Sequence, residues 1–201
     1  MQKLIGILIC LILWSCDEGK KPLEGATEWQ KEMNAMFKDA SRSPLLAKDR
    51  KEFSGLDFFS YDQKFKVNAK LQRTPDTEFF KMKTNTDDVS EERVYGILSF
   101  EMGGLKHKLN VYQGKENLQT EGLEDHLFLP FLDLTNGGET YGGGRYIDLK
   151  IPKGDHIEID FNTAYNPYCA YNERYSCPIV PRENFLNIKV EAGLKAFKSE
   201  K

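Results

Sequence analysis

The spacing of apolar residues changes once along this chain, near Gly55, and that change limits the fold classes open to it. Upstream, Trp29, Met33, Phe37 and Ala40 recur at helical spacing, with Lys31, Glu32, Lys38 and Asp39 between them. Thr27 followed three residues later by Gln30 fits a capping box, so a helix is predicted over 28–40. Its aromatic stripe reads as a packing face. Ser43-Pro44 predicts a second, shorter helix with proline at its first position, ending before Gly55. Downstream the period falls to two. Phe65, Val67, Ala69 and Leu71 alternate with Lys66, Asn68 and Lys70, the pattern of a strand with one buried face. Further strands are expected over 78–84, 93–101, 105–112, 127–132, 145–151, 156–161 and 185–191. Met102-Gly103-Gly104 is a hairpin connection, and the turn at 152–155 predicts a second hairpin. Pro130 has no N–H for a ladder, so 127–132 reads as an edge or bulged strand. The expected fold is mainly β with N-terminal helices (α+β), an antiparallel β-sandwich or partial barrel capped by two short helices.

Residues 1–16 read MQKLIGILICLILWSC. The apolar run over 4–13 is shorter than the about 20 residues that span a bilayer, and it follows a basic residue, as in a secretion signal. A small residue and then cysteine, Ser15-Cys16, resembles a bacterial lipobox. That resemblance implies cleavage before Cys16 and acylation of its thiol (a palmitate-type chain) and amino group. The expected organisation is a lipoprotein signal peptide over 1–15, the lipidated Cys16 with a tether over 16–26, and one β-rich domain over 27–201. Asp17-Glu18 resembles the export signal of some surface lipoproteins. The expected location is therefore the cell envelope, the domain outside the cytoplasm and anchored by lipid to a bacterial membrane, the outer one favoured.

With a net charge of −3 the chain has no broad basic surface to hold nucleic acid. Of its four cysteines, Cys10 leaves with the signal and Cys16 takes lipid. Cys169 and Cys177 remain, an even pair in an oxidising compartment. A disulfide is favoured; it would close a nine-residue loop and stabilise the fold by about 2–3 kcal/mol. A ligand or metal role comes second and catalysis third, with His126 or His156 as the only basic partners to suggest. His107 falls on the apolar side of its strand and reads as a core-edge histidine. No histidine pair has metal-ligand spacing, so neither metal nor cofactor is expected.

Three stretches carry more polar and special residues than architecture alone demands. Residues 133–146 hold five glycines within eight positions, together with Asp133, Glu139, Tyr141, Arg145 and Tyr146. The glycines allow close approach, but no nucleotide-binding fingerprint is present, and the segment leads into a strand. Residues 160–178, DFNTAYNPYCAYNERYSCP, combine Asp160, Asn162 and Asn166 with Tyr165, Tyr168, Tyr171 and Tyr175. The short polar side chains can brace an irregular loop, and the rings suit a pocket or an interface. Residues 177–184 place two prolines before Glu183 and Asn184.

PFLDLTNGGETYGGGRY, DFNTAYNPYCAYNERYSCP and PRENFLNIKVEAG resemble the motifs of the bacterial domain-of-unknown-function family 1684. The resemblance covers residues 29–193. It implies motif roles for Asp133, Thr135, Glu139, Thr140, Tyr141, Gly144, Arg145, Tyr146, Asp160, Asn162, Asn166, Cys169, Tyr171, Cys177 and Asn184, but no activity. Leu194-Lys195 after Gly193 replaces the more usual acidic residue.

The leading expectation is a small-molecule or glycan binding module. Its polar-aromatic pocket would be built from the glycine and tyrosine loops, with Arg145 holding an anionic group. The alternative is a hydrolase or transferase with Glu139 or Asp160 as base, Arg145 as anion holder, and Tyr171 or a cysteine as acid or nucleophile. A third reading is a structural envelope protein whose polar signature locks crossing loops. The partners expected are a membrane, through the lipid, and an unknown small ligand.

Overall fold

The computed structural model describes residues 26–197. The signal segment, Cys16 and most of the tether lie outside the described residues. No described helix is long and apolar enough to cross a membrane.

Helix α1 (Glu28–Lys38) starts at the predicted capping box, Thr27 and Gln30 satisfying each other's backbone groups. It stops two residues short of Ala40, because the Asp39 carboxylate accepts from Ser41 N–H and turns the chain. The second helix, α2 (Ala47–Glu52), starts later than predicted. Ser43 Oγ accepts from Leu45 N–H, and the chain around Pro44 stays outside the helix.

Eight strands follow: β1 (Lys66–Arg73), β2 (Phe80–Lys83), β3 (Val89–Met102), β4 (Leu105–Gly114), β5 (His126–Asp133), β6 (Arg145–Lys150), β7 (His156–Asp160) and β8 (Phe185–Leu186). They form one sheet in the order β6-β5-β4-β3-β1-β7, with β2 on β3 and β8 on β5. All pairs are antiparallel except β5 with β8. The sheet curls into a half-barrel rather than dividing into a sandwich. Its inner face draws Leu71, Leu98, Leu109, Leu129, Ile147 and Ile159, from six strands, into one buried cluster. A flat sheet would hold its outermost strands too far apart for that, since neighbours lie about 4.8 Å apart.

Three strand expectations are corrected. β6 and β7 are not a hairpin: they end opposite edges of the sheet, β7 pairing with β1. Arg73 holds the turn between them by donating to the carbonyls of Pro152 and Gly154. β5 is not an edge strand; it lies between β4 and β6. Its Pro130 is tolerated because the β4–β5 ladder pairs only Tyr112 with Phe128. Beyond that pair, the Asn184 amide sits between the strands. Its Nδ2 donates to the carbonyls of Asn110 and Pro130, and its Oδ1 accepts from Asn110 N–H. The side chain supplies the donor that proline lacks. The closing strand, expected over 185–191, shrinks to the two residues of β8, since the backbone beyond it bonds to Arg145 and Asp133.

One irregularity turns the sheet's faces over. Val94 pairs with Tyr112 and Gly96 with Val111, so β3 carries a bulge. After the bulge, Leu98, Phe100 and Met102 point to the inner core. Before it, Val94 joins Tyr112, Phe128, Tyr146 and Met82 on the outer face.

Candidate functional site

The polar signature residues divide into two groups in space. The larger group forms a closed knot. Arg145 is 0% exposed, with its guanidinium set among backbone oxygens. It donates to Asp133 Oδ2 at 2.8 Å, to Val190 O at 2.8 Å and to Ala192 O, with Leu194 O at 3.5 Å. Asp133 Oδ1 accepts from Thr135 N–H and Oγ and from Val190 N–H. Thr135 and Thr140 share a hydroxyl contact at 2.8 Å. Burial lowers the guanidinium from its usual pKa, and the Asp133 charge opposes that. Arg145 is thus already occupied and out of a ligand's reach, which corrects the expectation that it holds an anion.

The other signature residues brace crossing segments. Asp160 accepts from Asn162 N–H and Nδ2, and Asn162 exchanges bonds with the backbone of Asp62. Asn166 donates to Tyr171 Oη and Lys195 O. Tyr171 is buried edge-on to Phe37. Gly144 has a φ of 92°, and a Cβ there would meet Phe131 O at 2.7 Å. Glu139 is on the surface in an ion pair with Lys189 at 3.0 Å. Neither Glu139 nor Asp160 shares a pocket with Arg145 as a catalytic set would require.

Cys169 and Cys177 are free thiols in the structure, not the disulfide that compartment logic favoured. Cys169 N–H donates to Cys177 Sγ at 3.2 Å, and Tyr141 Oη lies 3.9 Å from Cys169 Sγ. The Cys177 thiol, hydrogen-bonded to Cys169, pulls the Cys169 pKa down to about 7 and is itself held well above the usual thiol range. Burial pushes Tyr141 up to about 12. Among the described residues no group of three or more His, Cys, Asp or Glu is placed to hold a metal.

The second group lies on the outer face of β5 and β6 and lines a cavity of about 670 Å³. Phe128 and Asp148 pair across these strands, and Tyr146, two residues before Asp148, lies on the same face. The 160–178 stretch straps this edge. Tyr165 and Tyr146 exchange two backbone hydrogen bonds at 2.9 Å, and Tyr146 Oη donates to Pro178 O. The strap brings Tyr165, Pro167, Tyr168, Cys177 and Pro178 to the cavity wall, and α1 contributes Trp29, Met33 and Met36. The α1 stripe is therefore shared: Phe37 packs among Leu45, Phe53 and Tyr171, while Trp29 and Met33 face the cavity.

A polar end completes the cavity. His126 Nε2 lies 2.9 Å from Asp148 Oδ1, Tyr165 Oη donates to the same oxygen, and Asn117 Nδ2 lies 2.9 Å from His126 Nδ1. With Asn117 donating, the neutral ring carries its proton on Nε2, toward Asp148. The bond to Asp148 raises the His126 pKa against the opposing effect of burial. Beside it, Glu92 is 6% exposed. Its Oε1 accepts from Ser90 Oγ at 2.7 Å, and its Oε2 is buried with no partner among the described residues. Burial pushes its carboxyl above the ordinary range.

Of the residues singled out in the sequence, Tyr146, Tyr165, Tyr168 and Cys177 reach this wall. Glu92, Asn117, Phe128 and Asp148 were missed, and His126 was considered only as a partner for a thiol. Asp148 was findable, since alternation places it on the face of Tyr146. Glu92 was not, because the bulge reverses its parity.

The comparisons agree with this architecture. The profile for a protein of unknown function, DUF1684, matches residues 51–195. The chain belongs to the DUF1684 family. A solution NMR structure of an uncharacterised protein from Haloarcula marismortui, gene locus rrnAC0354, is 32% identical to it with a TM-score of 0.66. The match covers 83% of this chain and 89% of that one. That relative comes from an archaeon. No curated protein matches. The matched DUF1684 segment includes Glu92, His126, Asp148 and the strap; α1 lies before it.

Proposed function

We propose that this DUF1684 protein is a small-molecule binding module whose site is the cavity between β5, β6, the 160–178 strap and α1. One observation carries the reading: a nine-tenths-buried carboxylate, Glu92, reaches the wall of an aromatic cavity with one oxygen unpartnered. Leaving a buried polar atom unmade costs about 1–3 kcal/mol. Such a cost is unusual in a resting fold and is relieved when a ligand supplies the missing donor. The cavity volume and its mixture of rings with a few convergent polar groups suit a compact organic ligand. In this reading α1 closes the pocket and acts as its lid.

The test is to fill the space. Met36→Trp on α1 would put an indole into the cavity at a cost of only some tenths of a kcal/mol in helix propensity. Binding of small molecules, followed by native mass spectrometry and thermal shift on the purified protein, is expected to vanish in Met36→Trp with Tm little changed. Unaltered binding in that variant would move the site elsewhere.

A catalytic reading has one observation in its favour, the raised pKa of Glu92 beside the His126–Asp148 pair. It would make Glu92 a general acid or base in a hydrolase or transferase. It requires a turnover that Glu92→Gln abolishes while binding persists.

The envelope location and the lipid anchor at Cys16 belong to the same proposal, supported by the signal-like start of the chain. An exported domain would also meet oxidants able to join Cys169 and Cys177.

A further inference from the structure

The charges around the cavity narrow the ligand class. Two carboxylates, Glu92 and Asp148, line the cavity, and no lysine or arginine does among the described residues. Three of the cavity's hydrogen-bonding side chains, Tyr165, Tyr146 and His126, are already engaged within the fold. Tyr165 Oη donates to Asp148, Tyr146 Oη donates to Pro178 O, and His126 is held between Asp148 and Asn117. When His126 is protonated, its charge is paired with Asp148. What stays unpartnered at the wall, among the described residues, is Glu92 Oε2, beside the aromatic rings that line the cavity. Opposite Glu92 on β4 stands Gly114, where a Cβ would sit 3.3 Å from Glu92 Oε1 and 3.5 Å from Oε2. Any larger residue would crowd the carboxylate, and none is there to donate to it.

We infer that the ligand is an organic ammonium ion with at least one N–H, its nitrogen directed at Glu92 and its carbon body packed on the rings of Phe128, Tyr146 and Tyr165. Buried carboxylate and aromatic faces both attract a cation, the second through the ring quadrupole. An anion would meet repulsion from Glu92 and Asp148, with no lysine or arginine among the described lining residues to balance it. The inference reverses the polarity expected from the sequence, which placed an anion at Arg145. It rests on the cavity being the ligand site.

The test uses small molecules matched in shape and differing in one terminal group. 2-Phenylethylamine, 2-phenylethanol and phenylacetate form one such set, and cyclohexyl and linear bodies form two more. Binding to the purified protein is read by native mass spectrometry and by calorimetry at millimolar probe, for the wild type, Glu92→Gln and Met36→Trp. The expected result is binding of the ammonium members, weakened about tenfold or more in Glu92→Gln by loss of a charge-assisted bond and lost in Met36→Trp. Binding should also weaken on acidification, starting above the usual carboxylate range, as Glu92 takes up its proton. Binding of the alcohols or carboxylates instead, still blocked by Met36→Trp, would keep the cavity as the site and overturn the ammonium reading. No binding from any set would overturn both.

Discussion

The Arg145 knot and the Glu92 cavity both bury charge, and they differ in how completely that charge is satisfied. In the knot, Arg145 and Asp133 are each 0% exposed at the side chain, and both terminal guanidinium nitrogens and both carboxylate oxygens are bonded, leaving only Arg145 Nε without a partner among the described residues. In the cavity, Glu92 has one hydroxyl donor and one unpartnered oxygen. A buried charge paired with its opposite does its work by holding chain segments together, whereas a buried carboxylate without a cationic partner leaves its charge for something else. Polar residue types alone do not separate these cases, since an arginine in a glycine-rich loop looks like a ligand anchor until its partners are counted.

The strongest test of the contrast is Arg145→Ala. It leaves Asp133 as an unpaired buried charge and strands the carbonyls of Val190 and Ala192. A loss of about 3–5 kcal/mol is expected, read as a lower urea midpoint. A variant that stays as stable as wild type but loses ligand would make the knot a site and collapse the distinction.

Glu92→Gln should move the other way. Burial raises the folded-state pKa of Glu92 above its unfolded value. Between those two values the folded protein keeps a proton that the unfolded chain has lost. Stability therefore falls as pH rises through that window, and the penalty is complete above the folded pKa. Glutamine cannot ionise and still accepts from Ser90. The variant is expected to be more stable than wild type by about 1 kcal/mol at neutral pH and to converge with it in acid. Denaturation across pH checks this. A destabilised variant would mean that Glu92 is one more structural brace.

Much of the fold was legible, because alternation and turn residues are local signals. Strands β1, β3 and β4 lie where the period placed them, and the Gly103-Gly104 turn has the positive φ values of a tight hairpin. The errors came from long-range partners. Pro130 looked like an edge residue because its substitute donor, Asn184, lies 54 positions away. The 185–191 strand failed because its carbonyls turn to a guanidinium about 45 residues earlier. The candidate site was legible in its aromatic half only: Tyr146, Tyr165 and Tyr168 stood out, whereas Glu92 was hidden by a single inserted residue at the β3 bulge.

The smallest expected effect sharpens the comparison most. The His126–Asp148 contact has the same 2.8–2.9 Å geometry class as Arg145–Asp133, yet its side chains are 23% and 53% exposed. Solvent screens such a pair, so Asp148→Asn should cost only some tenths of a kcal/mol. The sign of its pH dependence is fixed. A histidine raised in the fold contributes stability that is fully present below its unfolded pKa of about 6.5 and lost as pH rises through the folded value. Asp148→Asn removes the group that raises it, so the His126 ring, followed by NMR, should titrate at lower pH, and the small stability gain at acid pH should shrink with it. If the substitution instead cost as much as Arg145→Ala, the polar end of the cavity would be a second knot. Glu92 would then be the sole open group, and the cavity's selectivity would rest on one carboxylate and its ring of aromatic faces.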